Sequence, residues 1–97
     1  MFRKKAVKPS GPLTQEVLRD WLMGYLADHL KIAKADIDTG TTFESYGLDS
    51  RVAVQVSGAL EKVVERRLSP GLLYEHQTID DLSGYLAKEL RLPEQAV

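Results

Sequence analysis

The sequence predicts an all-α fold: a small four-helix bundle of three long helices and one short one, with a long ordered loop between the first and second. Three observations carry this. Three stretches of the 97-residue chain repeat their apolar residues at helical spacing. Nothing alternates with period two for long enough to make a sheet. Strong breakers separate the periodic stretches, so each becomes one helix with one apolar side, and such helices must close on a shared core.

The first helix is predicted over residues 14–30. Thr14 is placed to cap it and Glu16 to complement its dipole. Val17, Leu18, Trp21, Leu22, Tyr25, Leu26 and Leu30 form its apolar side, at about 100° per residue. Trp21, Tyr25 and Tyr85 are core candidates, and His29 lies where a cation complements the helix end.

Residues 31–49 lose the period. Asp36, Asp38, Thr39, Gly40, Thr41 and Thr42 are turn formers, while Ile32, Ile37, Phe43 and Leu48 are spaced as anchors. Loops of this length in small domains usually serve a function.

The second helix is predicted from near Ser50 to near Arg67, with Leu68-Ser69-Pro70-Gly71 as its stop. Val52, Val56, Leu60 and Val63 set its core side, leaving Arg51, Val54, Gln55, Gly58, Glu61, Lys62 and Glu65 outside. Val54 is an apolar residue on that outer side, which favours a partner surface over a merely solvated one. Leu72, Leu73 and Tyr74 fit one short helical turn. Thr78 opens the last helix with Asp81 three positions on, and Ile79, Leu82, Tyr85, Leu86 and Leu90 form its buried stripe.

Composition narrows the function. The chain is 43% hydrophobic and 28% charged, an ordinary globular balance. It has no Cys, which removes disulfides, thiolate nucleophiles and Cys-ligated zinc, and its two His cannot alone build a metal site. No apolar run approaches the roughly 20 residues of a membrane span. The net charge of −1 argues against nucleic acid as the main partner. Residues 1–12 hold four bases and no acid and read as a flexible basic linker or an added tail; 13–91 read as the domain and 92–97 as a C-terminal tail.

The segment Tyr46-Gly47-Leu48-Asp49-Ser50 sits where the long loop meets the second helix. Gly47 permits a positive φ, Leu48 can fix the loop to the core, and Asp49 and Ser50 fall at a helix N-terminus that favours an anion. Either residue also reads as an ordinary N-cap. A hydrolase triad of Ser50, His76 and Asp49 fails, because Asp49 adjoins Ser50 and cannot orient His76 from behind, and the G-x-S-x-G elbow is absent. No residue is assigned as catalytic.

Residues 14–90 resemble the acyl carrier proteins, especially carrier domains of modular polyketide synthases. The resemblance centres on Gly47-Leu48-Asp49-Ser50 and continues through Ala53-Val54-Gln55-Val56 and Leu60-Glu61. A second block runs Leu68-Ser69-Pro70-Gly71-Leu72-Leu73-Tyr74-Glu75-His76-Gln77-Thr78-Ile79. It implies that Ser50 carries 4′-phosphopantetheine, transferred from coenzyme A by a phosphopantetheinyl transferase. Gly47, Leu48 and Asp49 would support the attachment, Asp49 by helping to hold the transferase's Mg²⁺. The thiol of a Cys-free protein then belongs to its cofactor. The implied partners are the transferase and the ketosynthase, acyltransferase and other domains of a synthase. The implied setting is a non-catalytic, cytoplasmic domain, monomeric in isolation, without nucleic acid or membrane.

Arg51, Gln55 and Gly58 depart from the family pattern, which is usually apolar, Glu and bulky apolar at those places. All three fall on the outer face of the second helix, so the recognition set is Arg51, Val54, Gln55, Gly58, Glu61 and Lys62. Val56 stands where carriers for β-branching often bear Trp. The mixed charge of that face steers weakly, which suits a tethered domain. Two alternatives stay open: a peptidyl carrier of a nonribosomal peptide synthetase, from which Leu48 differs where a second Gly is usual, and a helical interaction domain with no prosthetic group.

Overall fold

The computed structural model describes residues 13–93. The reading of residues 1–12 as a linker, and of the last four residues as tail, lies outside the described residues. The elements in chain order are α1 (Gln15–Leu30), a 3₁₀ turn (Lys34–Asp36), α2 (Ser50–Val64), α3 (Leu72–Glu75) and α4 (Ile79–Leu90). No β-strand occurs among the described residues; one isolated antiparallel bridge joins Thr42 to Thr78.

Each long helix starts on a side-chain cap. Thr14 Oγ1 accepts from Val17 N–H at 3.0 Å, Asp49 Oδ1 from Val52 N–H at 3.0 Å, and Thr78 Oγ1 from Asp81 N–H at 3.0 Å. Each cap satisfies one of the N–H groups a helix start leaves without an acceptor. All three end alike, on a residue in the left-handed region: Lys31, Glu65 and Arg91. None is glycine, so each left-handed turn is reached against backbone preference and is offset by local hydrogen bonds: the N–H groups of Lys31 and Ile32 return to Ala27 O, and those of Arg91 and Leu92 to Ala87 O.

The core is built from Leu18, Leu22 and Leu26 of α1, Val56, Leu60 and Val63 of α2, Leu72 and Leu73 of α3, and Ile79, Leu82 and Leu86 of α4. The loop contributes Ile37 and Phe43. Trp21, Tyr25 and Tyr85 are partly buried at its margin rather than inside it. Trp21 and Tyr25 pack with ring centroids 5.2 Å apart, and burial pushes the Tyr25 phenol above its ordinary pKa. Tyr85 stacks on His76 at 4.0 Å.

The structure corrects four expectations. α2 stops at Val64, three residues before Arg67. Glu65 turns left-handed, and the N–H groups of Glu65 and Arg66 both return to Glu61 O. Leu68 N–H then donates to Glu61 Oε2 at 2.7 Å, and its side chain packs on the core. Glu65-Arg66-Arg67 has good helix propensity, but continuing the helix would carry Leu68 away from that seat. Second, Ile32 is no anchor; it is 40% exposed, and Ile37 and Phe43 hold the loop instead. Third, the three aromatic core candidates sit at the edge. Fourth, packing continues beyond position 91: Leu92 lies against the core, its N–H bonds Ala87 O at 2.8 Å, and Gln15 N–H bonds Pro93 O at 2.9 Å. That last bond gives an α1 donor an acceptor and ties the two ends of the described chain together.

Candidate functional site

The loop of residues 31–49 is held by contacts of long sequence separation. Phe43 N–H donates to Gln77 O at 2.8 Å and Asp80 N–H to Thr39 O at 3.0 Å. Thr39 Oγ1 donates to Asp80 Oδ2 at 3.0 Å. Within the loop, the Tyr46 hydroxyl accepts from Asp38 N–H at 2.6 Å and donates to Asp38 O at 3.0 Å. The loop is therefore fastened to the start of α4 at one side and cross-braced by Tyr46 at the other.

That bracing sets the approach to α2. The turn closes through Gly47 N–H to Glu44 O at 2.9 Å, and Gly47 sits at φ 83°, where a side chain is strained. Leu48 is half-buried against the core and its N–H returns to Phe43 O at 3.2 Å. Asp49 is extended and caps α2. Ser50 follows as the first helical residue, exposed to solvent. The structure thus brings Gly47, Leu48, Asp49 and Ser50 into one junction.

The chemistry of that junction suits an anionic ester on Ser50. Asp49 uses its carboxylate for Val52 N–H and its carbonyl for Ala53 N–H, leaving the N–H groups of Ser50 and Arg51 without acceptors inside the helix. The first turn of α2 holds no acid, whereas α1 has Glu16 there and α4 has Asp80 and Asp81. Donors and the positive dipole end remain available to a phosphate. Beside Asp49 a cleft of about 330 Å³ opens between the loop, α2 and α3, walled by Phe43, Leu48, Ala53 and Leu73.

The profile of the phosphopantetheine attachment site family matches residues 20–86, a span that contains this junction. The chain belongs to that family. Polyketide synthase PksL of Bacillus subtilis is 33% identical to it over 67 residues, which are 69% of this chain and 2% of PksL. The acyl carrier protein LipD of Actinoplanes friuliensis is 39% identical with a TM-score of 0.70, covering 88% of this chain and 98% of LipD. A free-standing peptidyl carrier protein of Acinetobacter baumannii is 36% identical with a TM-score of 0.74, covering 79% of this chain and 96% of that one. The chain is a carrier domain, non-catalytic in itself, of a family that bears covalent 4′-phosphopantetheine.

The outer face of the carrier's α2 is partly as the sequence places it. Arg51, Val54, Gln55, Gly58 and Lys62 are exposed, Val54 at 51%. Glu61 differs: its carboxylate is spent on Leu68 N–H, so it shapes the chain after α2 before it faces any partner. Sequence reasoning missed Tyr46 as the loop's brace and the tie between Thr39 and Asp80. A Tyr next to a Gly is a visible signal; two residues 41 apart that share a hydrogen bond leave none. No group of three metal-ligating side chains is found among the described residues, and no helix there is long and apolar enough to cross a membrane.

Proposed function

We propose that Ser50 is the attachment residue, and that the domain carries acyl intermediates of polyketide assembly and presents them to the domains of a synthase. The observation that supports this most directly is the exposed Ser50 hydroxyl at the start of α2, behind Gly47-Leu48-Asp49 and inside the family match. A phosphopantetheinyl transferase would use it as the nucleophile. Ser50 Oγ forms the new bond to phosphorus, its proton passes to a base of the transferase, and adenosine 3′,5′-bisphosphate leaves. When bound, the group supplies a terminal thiol that holds acyl groups as thioesters. The chain's part is to hold the ester rigidly at a dipole end and to expose Arg51, Val54, Gln55, Gly58 and Lys62 to whichever partner must reach it. Asp49 keeps the cap and stands beside the ester, where a transferase-bound divalent cation can meet it.

The polyketide setting is supported by PksL, of which the chain matches a small part, and is favoured over a peptidyl role, which has the likeness to the Acinetobacter carrier behind it. Incubation with coenzyme A, Mg²⁺ and a broad-specificity transferase, read by intact mass, tests the attachment. Wild type should gain one phosphopantetheine and Ser50→Ala none. Loading of the alanine variant would defeat the assignment. Charging the loaded protein by an acyltransferase or by an adenylation domain then separates the two settings.

A further inference from the structure

The loop of residues 31–49 has two halves with separate anchors. The half before Thr42 is held by Ile37, buried in the core, and by Thr39, whose carbonyl accepts from Asp80 N–H while its hydroxyl donates to the Asp80 carboxylate. The half from Thr42 to Asp49 is held by Phe43, which is buried and donates its N–H to Gln77 O, and by the half-buried Leu48. The second half is the one that runs into Ser50.

Inside each half the hydrogen bonds are local. Thr41 N–H returns to Asp38 O in the first, and Gly47 N–H to Glu44 O and Leu48 N–H to Phe43 O in the second. Among the described residues, the hydrogen bonds that cross from one half to the other are the two made by the Tyr46 hydroxyl. It accepts from Asp38 N–H at 2.6 Å and donates to Asp38 O at 3.0 Å. One phenol thus serves both backbone groups of one residue, as a paired strand would. Its ring packs against the core, so the reach to Asp38 is fixed at both ends. Asp38 lies between Ile37 and Thr39, the two anchors of the first half. Through it, the turn that ends at Ser50 leans on the core and on α4 in addition to its own hold at Phe43.

We propose that Tyr46 is a positioning residue for the loading of Ser50: its hydroxyl, bonded to both backbone groups of Asp38, joins the halves of the loop into one body and holds Gly47, Leu48 and Asp49 in the arrangement that presents Ser50 to the transferase. Tyr46 takes no part in the bond made at phosphorus. It raises the share of molecules whose junction is ready. A transferase that accepts that arrangement reads the share as affinity: apparent affinity falls in proportion to the competent fraction, while turnover of bound carrier is unchanged. This role deepens the attachment reading, on which it rests.

The test varies the full chain as substrate of a broad-specificity transferase, with coenzyme A and Mg²⁺ saturating, and follows the gain of phosphopantetheine by mass. Tyr46→Phe keeps the ring and removes the hydroxyl. With helical circular dichroism retained, its KM should rise about five- to tenfold and its kcat stay within about twofold of wild type, as two ordinary hydrogen bonds lost from a pre-equilibrium would give. Amide exchange should quicken at Gly47 and Leu48 and keep the wild-type rate at Leu82 and Leu86 of α4. Tyr85→Phe removes a hydroxyl from α4, outside the loop, and should load as wild type does. A merely structural tyrosine would lower the melting temperature of Tyr46→Phe and leave the KM of the folded domain alone. The proposal is overturned if Tyr46→Phe keeps the wild-type KM, if it loses kcat instead, if exchange at Gly47 and Leu48 is unchanged, or if Tyr85→Phe has the same effect. Wild type that gains no phosphopantetheine, or gains it at another residue, defeats the attachment reading; wild type and Tyr46→Phe that load alike at Ser50 defeat the positioning role and leave that reading standing.

Discussion

The two ends of α2 are built on opposite plans. Its N-terminus rests on a loop of nineteen residues, 31–49, fastened by Phe43 and Thr39 to the start of α4 and braced by the Tyr46 hydroxyl on Asp38. Its C-terminus runs into a link of seven residues, 65–71, held back mainly by Glu61, and a groove is left beside it. The first end has four acids and two bases in its loop; the second, counted with the helix, has twice as many bases as acids. The proposed attachment at Ser50 needs a fixed hydroxyl, and long loops cost little extra closure entropy once anchored. The short link after α2 is tied at fewer points and leaves a cavity between itself and the helix.

The largest way to break this contrast is to remove the anchor of the first end. Phe43 is buried beneath the loop, and its N–H is part of the same tie to Gln77. Phe43→Ala should cost about 3–4 kcal/mol from lost burial and the cavity left behind. A domain of this size has a modest margin, so denaturant midpoints should fall sharply and a large unfolded fraction should appear at physiological temperature. A variant that kept the wild-type midpoint would show that the loop is held by its hydrogen bonds and not by its core contact.

A smaller effect compares two carboxylates that each serve the backbone, one at either end. Asp49 caps α2, and Asp49→Ala should cost about 1 kcal/mol. Glu61 accepts from the half-buried Leu68 N–H, and Glu61→Ala should cost about 1–2 kcal/mol, the charged acceptor being lost from a partly desolvated donor. The readouts also differ. Asp49→Ala should slow loading of Ser50, while Glu61→Ala should load normally and loosen residues 65–71, seen as faster amide exchange at Leu68. Equal exchange in both variants would remove Glu61 from its role as the link's tie.

The helices were legible because their chemistry is local. Thr14, Asp49 and Thr78 announce the three long starts, and the apolar spacing of α1, α2 and α4 names most of the core. The junction at residues 47–50 was legible for the same reason, since glycine, cap and helix start are neighbours in sequence. What escaped was decided by partners distant in sequence. Ile32 and Ile37 look equally suited to anchor the loop, and only the packed fold chooses between them. The end of α2 was misplaced because propensity carries Glu65-Arg66-Arg67 onward while Leu68 requires a turn. The groove was hidden in consequence, for its far wall is made by the residues after that misplaced end.

The smallest expected effect compares α2 with α1 at two glycines. Gly58 in α2 and Gly24 in α1 both lie inside helices, and an added side chain would meet nothing at either place. Alanine should therefore stabilise the domain at each position by about 0.5–1 kcal/mol, since glycine leaves more backbone freedom to be lost on folding. Gly24 lies outside the groove and Gly58 forms part of it. Thermal melts should rise by similar amounts in the two variants. If Gly58→Ala fails to gain what Gly24→Ala gains, the space beside position 58 is not open and α2 packs more closely there than α1 does at position 24.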